Sequence, residues 1–383
     1  MINAFLPVEI FREENRMKIV CAKSELMKSL NIVLKAVPSK TTMTILECIL
    51  IDAQTNKVKF TANDMELGIE TEVKGEVLEK GMICLDAKIF SDIIRKLPDN
   101  DVTIETDESM AALITCEKAK FKIMGKDGED FSALPIVEKS EPLVLSQFTL
   151  KEVINQTIFS IAVNDTNKIM TGEYFELTGN NLRVVSLDGH RVSIRRVELK
   201  NQCSEQKVIV PGKTLQEISR IISDETESMI SIYFTKSLIM FEFDDTIVVS
   251  RLIEGKYFNI DQMLSTDYET SINVNRRQLL DCIDRSTLLV KSDDKKPIVL
   301  NITDSSMELK INSQIGSMDE DVSIVKEGRD IMIGFNPNFM IDALRAIPDE
   351  TVDIYFINSK SPCFIRDKDQ SYIYLILPVN FIV

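Results

Sequence analysis

AKIFSDIIRKLPD at Ala87–Asp99, GKTLQEISRIISD at Gly212–Asp224 and PNFMIDALRAIPD at Pro337–Asp349 are three copies of one pattern, each starting 125 residues after the one before. Apolar side chains recur at Phe90, Leu215 and Met340, and again at Leu97, Ile222 and Ile347. An acid recurs at Asp92, Glu217 and Asp342, and an arginine at Arg95, Arg220 and Arg345. Phe90, Ile93, Ile94 and Leu97 have the spacing of one apolar stripe on an α-helix. Pro98 and Pro348 end two of the helices, and Ser223 takes that place in the middle copy.

A second helix repeats in step. Leu26-Met27, Val153-Ile154 and Leu279-Leu280 lie 127 and 126 residues apart, and each opens an apolar helical pattern after a short strand-like stretch. KVKFTAND, LRVVSLD, VTIET, ISIYF and VDIYF alternate with the period of two expected of half-buried strands. Each unit therefore predicts strand, helix, strands, helix, strands: an α+β domain with two helices packed on antiparallel sheets. The units are too long for solenoid repeats and are whole domains. Boundaries fall near residues 141 and 265, in VEKSEP and STDYET, giving domains 17–141, 142–265 and 266–383.

Residues 1–16, MINAFLPVEIFREENR, carry Glu9, Glu13 and Glu14 and lack the basic start of a signal peptide. Met17 opens MKIV, which reads as the first strand and as the functional start, with the leader as an extension. The length of 383 residues suggests two to four domains, and 44% hydrophobic against 27% charged residues suggests a folded, soluble protein. Cys21, Cys48, Cys84, Cys116, Cys203, Cys282 and Cys363 form no CxxC pair, which suits reduced thiols in the cytoplasm better than disulfides or a zinc site. No uncharged apolar run is long enough to predict a membrane span.

The net charge of -15 argues against nucleic acid if taken as a single number. Its distribution argues otherwise. The six helix windows 24–40, 87–97, 149–168, 212–222, 275–291 and 337–347 hold 15 Lys and Arg against 8 Asp and Glu, leaving -22 for the rest of the chain. Helix propensity alone would favour Lys and Arg, but it would favour Glu as well, and Glu is scarce there. The alternative is a shared helical face that meets a polyanion. Helices pack about 8–10 Å apart, so twelve from two chains give a circumference of about 100–120 Å. After subtracting a helix radius of about 5 Å on each side, the opening is about 22–28 Å, which admits a DNA duplex. Six helices from one chain would not suffice.

The threefold repeat, SLDGHR at Ser186–Arg191, GFNPNF at Gly334–Phe339 and the terminal YLILPV resemble the β subunit of bacterial DNA polymerase III, the β sliding clamp, over Met17–Val383. The resemblance implies the DNA clamp fold: three domains in a half-ring, closed by a head-to-tail homodimer with helices lining the hole. It implies a cytoplasmic, non-catalytic processivity factor that needs no cofactor of its own and holds DNA by topology, through weak salt-sensitive phosphate attraction. Its implied partners are duplex DNA, the polymerase III catalytic subunit, the clamp loader and other proteins with clamp-binding peptides.

By position, the DNA side would carry Lys40, Arg95, Asn164, Lys168, Lys213, Arg220, Arg276 and Arg277. The family's peptide pocket would be walled by Met170, Leu187, Gly189, His190, Arg191 and Val192, by Phe258 and Met263 of the linker, and by Phe339, Pro362, Leu375, Leu377, Pro378 and Val379. The dimer interface would join Phe121 and Ile123 to Leu288 and Leu289 of the other chain. This chain departs from the family at Phe258, where proline is common, at Leu187, where a small hydroxyl residue is common, and in its longer NFIV tail.

Catalytic constellations are sparse. His190 is the one histidine, so a multi-histidine metal site is excluded by count and a Ser-His-Asp triad would have to use His190 with Asp188 and Ser186. PGKT at Pro211–Thr214 fails as a P-loop because Lys207 stands where the first glycine is required. Asp319-Glu320-Asp321 lacks calcium-loop spacing and reads as solvated loop charge. The rival readings are an enzyme using the SLDGHR loop and a three-domain interaction scaffold that never encircles DNA.

Overall fold

The computed structural model describes residues 16–163, 166–290 and 296–381. Asn164, most of the 1–16 extension, and Ile382 and Val383 lie outside the described residues. Among the described residues six α-helices stand at the expected places: α1 Lys23–Val33, α2 Ala87–Lys96, α3 Gln147–Asn155, α4 Gly212–Ile221, α5 Arg276–Ser286 and α6 Pro337–Ala346. Each repeat contributes two helices and antiparallel strands, as the sequence predicts.

Three helices are shorter than their windows, because the apolar spacing runs on into 3-10 turns at Leu34–Ala36, Ile158–Ser160 and Thr287–Leu289. The Thr157 hydroxyl donates back to the Val153 carbonyl at 2.7 Å, and the Ser286 hydroxyl to Ile283, the side-chain competition that loosens a helix end. The second helix of every repeat stops sharply. Leu97 and Ile347, each before a proline, are extended, and Ile222 is extended without one. Asp86, Ser146, Asn275 and Asn336 cap helix N-termini through their side-chain oxygens. Asp86 accepts from the Ile89 amide at 2.7 Å. Asp86→Ala is expected to reduce stability by about 1 kcal/mol in urea unfolding.

The chain divides into two compact units. The first takes the chain up to Ser140 together with Met229–Arg251. One sheet runs Glu76–Glu79, Lys18–Ala22, Asp101–Thr106, Ala111–Cys116 and Ala119–Met124, so Ala119–Met124 is an edge strand. In the other sheet the strand Thr246–Arg251, from the middle repeat, pairs with Leu67–Val73 of the first, Val248 opposite Ile69. The buried hydroxyls of Thr71 and Thr246 bond at 2.8 Å across that seam. Phe60 and Phe90 meet edge to face at 5.8 Å beneath α2.

The second unit holds Glu141–Ser228 and Leu252–Val383. Its ten-stranded sheet begins Gly172–Leu187, Arg191–Pro211, Tyr372–Ile376, Cys363–Arg366, Thr351–Phe356 and Thr270–Asn275. The same seam recurs: the last strand of the third repeat, Tyr372–Ile376, pairs with the middle repeat's Arg191–Arg195. Leu279, Cys282 and Ile283 of α5 and Met340, Ile341 and Leu344 of α6 share one core with Ile272, Ile354 and Phe356.

Asp319, Glu320 and Asp321 are not loop charge. They lie in the strand Ser317–Gly328, whose first half pairs on one side with Ser306–Asn312. A strand segment paired on one side tolerates acids on its solvent side, and Glu320 is gripped through both oxygens by Arg285 while Met318 and Val322 face inward. All seven cysteines are free thiols. No helix among the described residues is long and apolar enough to cross a membrane.

Candidate peptide-binding pocket

The SLDGHR stretch is the turn between the strands Gly172–Leu187 and Arg191–Pro211. Asp188 organises it: one carboxylate oxygen accepts from the His190 and Arg191 amides at 3.0 and 3.1 Å. Gly189 sits at φ +83, a left-handed conformation that would strain any residue with a Cβ. Strand register then builds an apolar floor. Leu187 stands opposite Val192, and Val192 opposite Leu375, so three adjacent strands place these side chains on one face. The flanking Tyr374 and Ile376 enter the α5–α6 core instead, so YLILPV serves both faces of its strand.

Above this floor lies a cavity of about 320 Å³, lined by Leu187, Gly189, His190, Arg191, Val192, Met263, Pro362, Leu375 and Leu377. Nine expected wall residues thus meet in one apolar hollow, of which Met263 is 43% and Leu377 37% exposed. Met170, Phe258, Phe339, Pro378 and Val379 do not line it. Met170 packs against the hydrophobic cluster that contains the floor residues Leu187, Val192 and Leu375, and Phe258 lies edge-on to Tyr257. Phe339 stacks on His190 at 6.1 Å, one layer behind the wall. The Leu377 amide donates to the His190 carbonyl at 2.9 Å and the Val379 amide to the Gly334 carbonyl at 2.8 Å, so the final segment is tied down on both sides of Pro378. Phe381 lies against Gly334, where a Cβ would meet its ring at 2.7 Å.

Arg191 is a strut. Its side chain is only 11% exposed. It donates to Asp188 at 2.9 Å, to Asp342 at 2.7 Å and to the Phe159 carbonyl, and its guanidinium lies 4.4 Å from the centre of the Phe339 ring. Ser186 is fully buried and donates to the Thr157 carbonyl at 2.5 Å, while the Asp188 carboxylate is taken up by the turn amides and by Arg191. Sequence reasoning missed Asp342 and Phe159. The recurring acid was visible, but its partner 151 residues away was not.

The other expected sites are spread over separate elements. Lys40, Arg95, Lys168, Lys213, Arg220 and Arg277 are exposed and Arg276 is half-buried. Arg95, Arg220 and Arg277 pair with Asp92, Glu217 and Asp281 on their own helices. Arg276 donates to the Leu344 and Asp349 carbonyls, which fastens the end of α6. Phe121 is 39% exposed on the edge strand Ala119–Met124, beside half-buried Ile123. Leu288 is 78% exposed on the turn after α5, with Leu289 half-buried beside it.

An apolar pocket on a thrice-repeated α+β module is what the chain presents, and comparison with known proteins supplies the class. Models of the N-terminal, central and C-terminal domains of the DNA polymerase III beta subunit match residues 17–135, 144–259 and 261–380. The beta sliding clamp of Staphylococcus epidermidis is 33% identical over 375 residues, covering 95% of this chain and 99% of that one. A DNA polymerase III beta subunit structure from Eubacterium rectale is 65% identical, with a TM-score of 0.93 over 95% of this chain and 100% of its own. The DNA polymerase sliding clamp of Bacillus subtilis is 31% identical, with a TM-score of 0.92 over 96% and 100%. The chain belongs to the DNA polymerase III beta subunit family, the bacterial sliding clamps.

Proposed function

We propose that this chain, as a sliding clamp, closes a head-to-tail two-chain ring around duplex DNA and holds the replicative polymerase through the Leu187–Leu375 pocket. It is a non-catalytic processivity subunit, and the work is done by topology and docking. The modules would be 17–141, 142–265 and 266–383, acting in the cytoplasm where the chromosome is copied.

One observation carries the ring: the seam between modules is used twice. The last strand of the middle repeat pairs with Leu67–Val73 of the first, and that of the third pairs with Arg191–Arg195 of the middle. The equivalent last strand of the first repeat, Ala119–Met124, is a sheet edge. The matching acceptor in the third repeat, Ser317–Ser323, pairs on one side only among the described residues. A second copy offers each the partner it lacks, and a heterologous contact that closes makes a ring. Charge agrees: Lys120 and Lys122 flank Phe121 on one edge, and Asp319 and Asp321 lie on the other. Phe121, Ile123, Leu288 and Leu289 would form the apolar part of that seam.

The DNA side would be the helix face bearing Lys40, Arg95, Lys168, Lys213, Arg220, Arg276 and Arg277, with Asn164 near it in sequence. Several of these arginines are tied to a neighbouring acid, which leaves a soft positive lining suited to sliding. Partner peptides would insert apolar side chains between Leu187, Val192, Leu375 and Leu377. Leu377→Asp is expected to weaken binding of a labelled clamp-binding peptide from the cognate polymerase by at least about tenfold in fluorescence anisotropy. The functional test is primer extension on a circular template with loader and ATP. Adding the protein should lengthen the product made per polymerase binding event, and unchanged product length would contradict the reading.

A further inference from the structure

The acid and arginine that recur in every second helix do not keep the same partners. In α2, Arg95 pairs with Asp92 at 2.8 Å, and in α4, Arg220 pairs with Glu217 at 2.6 Å. In α6 the two residues separate. Asp342 takes Arg191 of the SLDGHR turn at 2.7 Å, and Arg345 turns to Asp284 of α5 at 3.0 Å. Among the described residues, Arg191 has two acid partners, Asp188 from its own turn and Asp342 from outside it. A guanidinium this deeply covered needs its acceptors, because removing one leaves a charge poorly compensated. Arg191 is packed on Phe339, Phe339 is stacked on His190, and both Arg191 and His190 line the cavity. Asp342 itself lines a different hollow, a cleft of about 420 Å³ between α3 and α6 that also touches Phe159 and Gln156. The pocket wall is therefore propped from the helix face of the module.

We infer that Asp342 is a positioning residue for partner-peptide binding, fixing Arg191 and, through Phe339 and His190, the geometry of the cavity wall. This rests on the pocket reading above. Repetition within the chain supplies the controls, since Asp92 and Glu217 hold the same helical position but pair with Arg95 and Arg220 of their own helices.

The test is anisotropy titration of the full chain with the labelled cognate polymerase peptide, alongside thermal melting of every variant. Asp342→Asn should weaken the peptide about tenfold, and Asp342→Glu should recover affinity to within about threefold of wild type. Asp92→Asn and Glu217→Gln should leave affinity unchanged. If Asp342→Asn does not fold, Asp342→Ser takes its place in the series. Wild type that fails to bind the peptide would overturn the pocket reading. Wild type that binds, with Asp342→Asn equal to it within about twofold, would overturn the role of Asp342 alone. Equal losses in all three helices would reduce Asp342 to a general stability residue and would overturn it too.

Discussion

Changing Phe121 and Leu288 together to aspartate should turn the proposed dimer into a folded monomer of 43.5 kDa by light scattering. Both side chains are exposed within the chain, so neither substitution opens a core. In a head-to-tail pair each seam uses one edge from either copy, so the double variant damages both seams at once. Buried apolar anchors at an interface contribute about 2–4 kcal/mol each. Aspartate at position 121 would also face the acids of Ser317–Ser323 in place of an apolar contact. The combined loss should weaken dimerisation more than about 100-fold. Lys120→Glu should weaken it less and in a salt-dependent way, because only charge complementarity is lost. A double variant that remains a dimer would place the closing surface elsewhere.

The second large effect concerns Glu173. This residue is fully buried, both carboxylate oxygens lack a hydrogen-bond partner among the described residues, and burial pushes its pKa well above the ordinary glutamate value. The nearby Thr157 opposes the shift without cancelling it. The folded state therefore holds a proton that the unfolded state releases near the ordinary value of about 4.3. The associated stability is complete below that value and is lost as pH rises toward the raised folded pKa. Glu173→Gln carries no such charge. The variant should match wild type near pH 4 and exceed it by about 2 kcal/mol or more at pH 8, by urea unfolding at the two pH values. A difference that does not change with pH would mean that Glu173 is not the buried acid responsible.

Much of this architecture was legible because it is periodic. The 125-residue repeat gave six helices in register, and Pro98 and Pro348 marked two of their ends. Helix lengths were less legible. The apolar spacing past Val33, Asn155 and Ser286 continues in 3-10 turns, which bury the same side chains with a different backbone. The acids at 319–321 read as loop because composition cannot tell a strand segment paired on one side from a turn. Nine pocket residues carried over by resemblance share one cavity, since strand register forces Leu187, Val192 and Leu375 together. Phe339 and Met170 pack against its wall and floor residues without lining it, and Asp342 escaped notice, because a repeat predicts a residue's place on its helix but not which distant side chain takes its charge.

The proposition that two copies lock around DNA is tested most directly by loading labelled protein onto a nicked plasmid and then cutting the plasmid once. The clamp account predicts retention on the circle through gel filtration and release within the time of linearisation, at a salt concentration that abolishes ordinary phosphate binding. Equal retention on circular and linear DNA, or none on either, would contradict it.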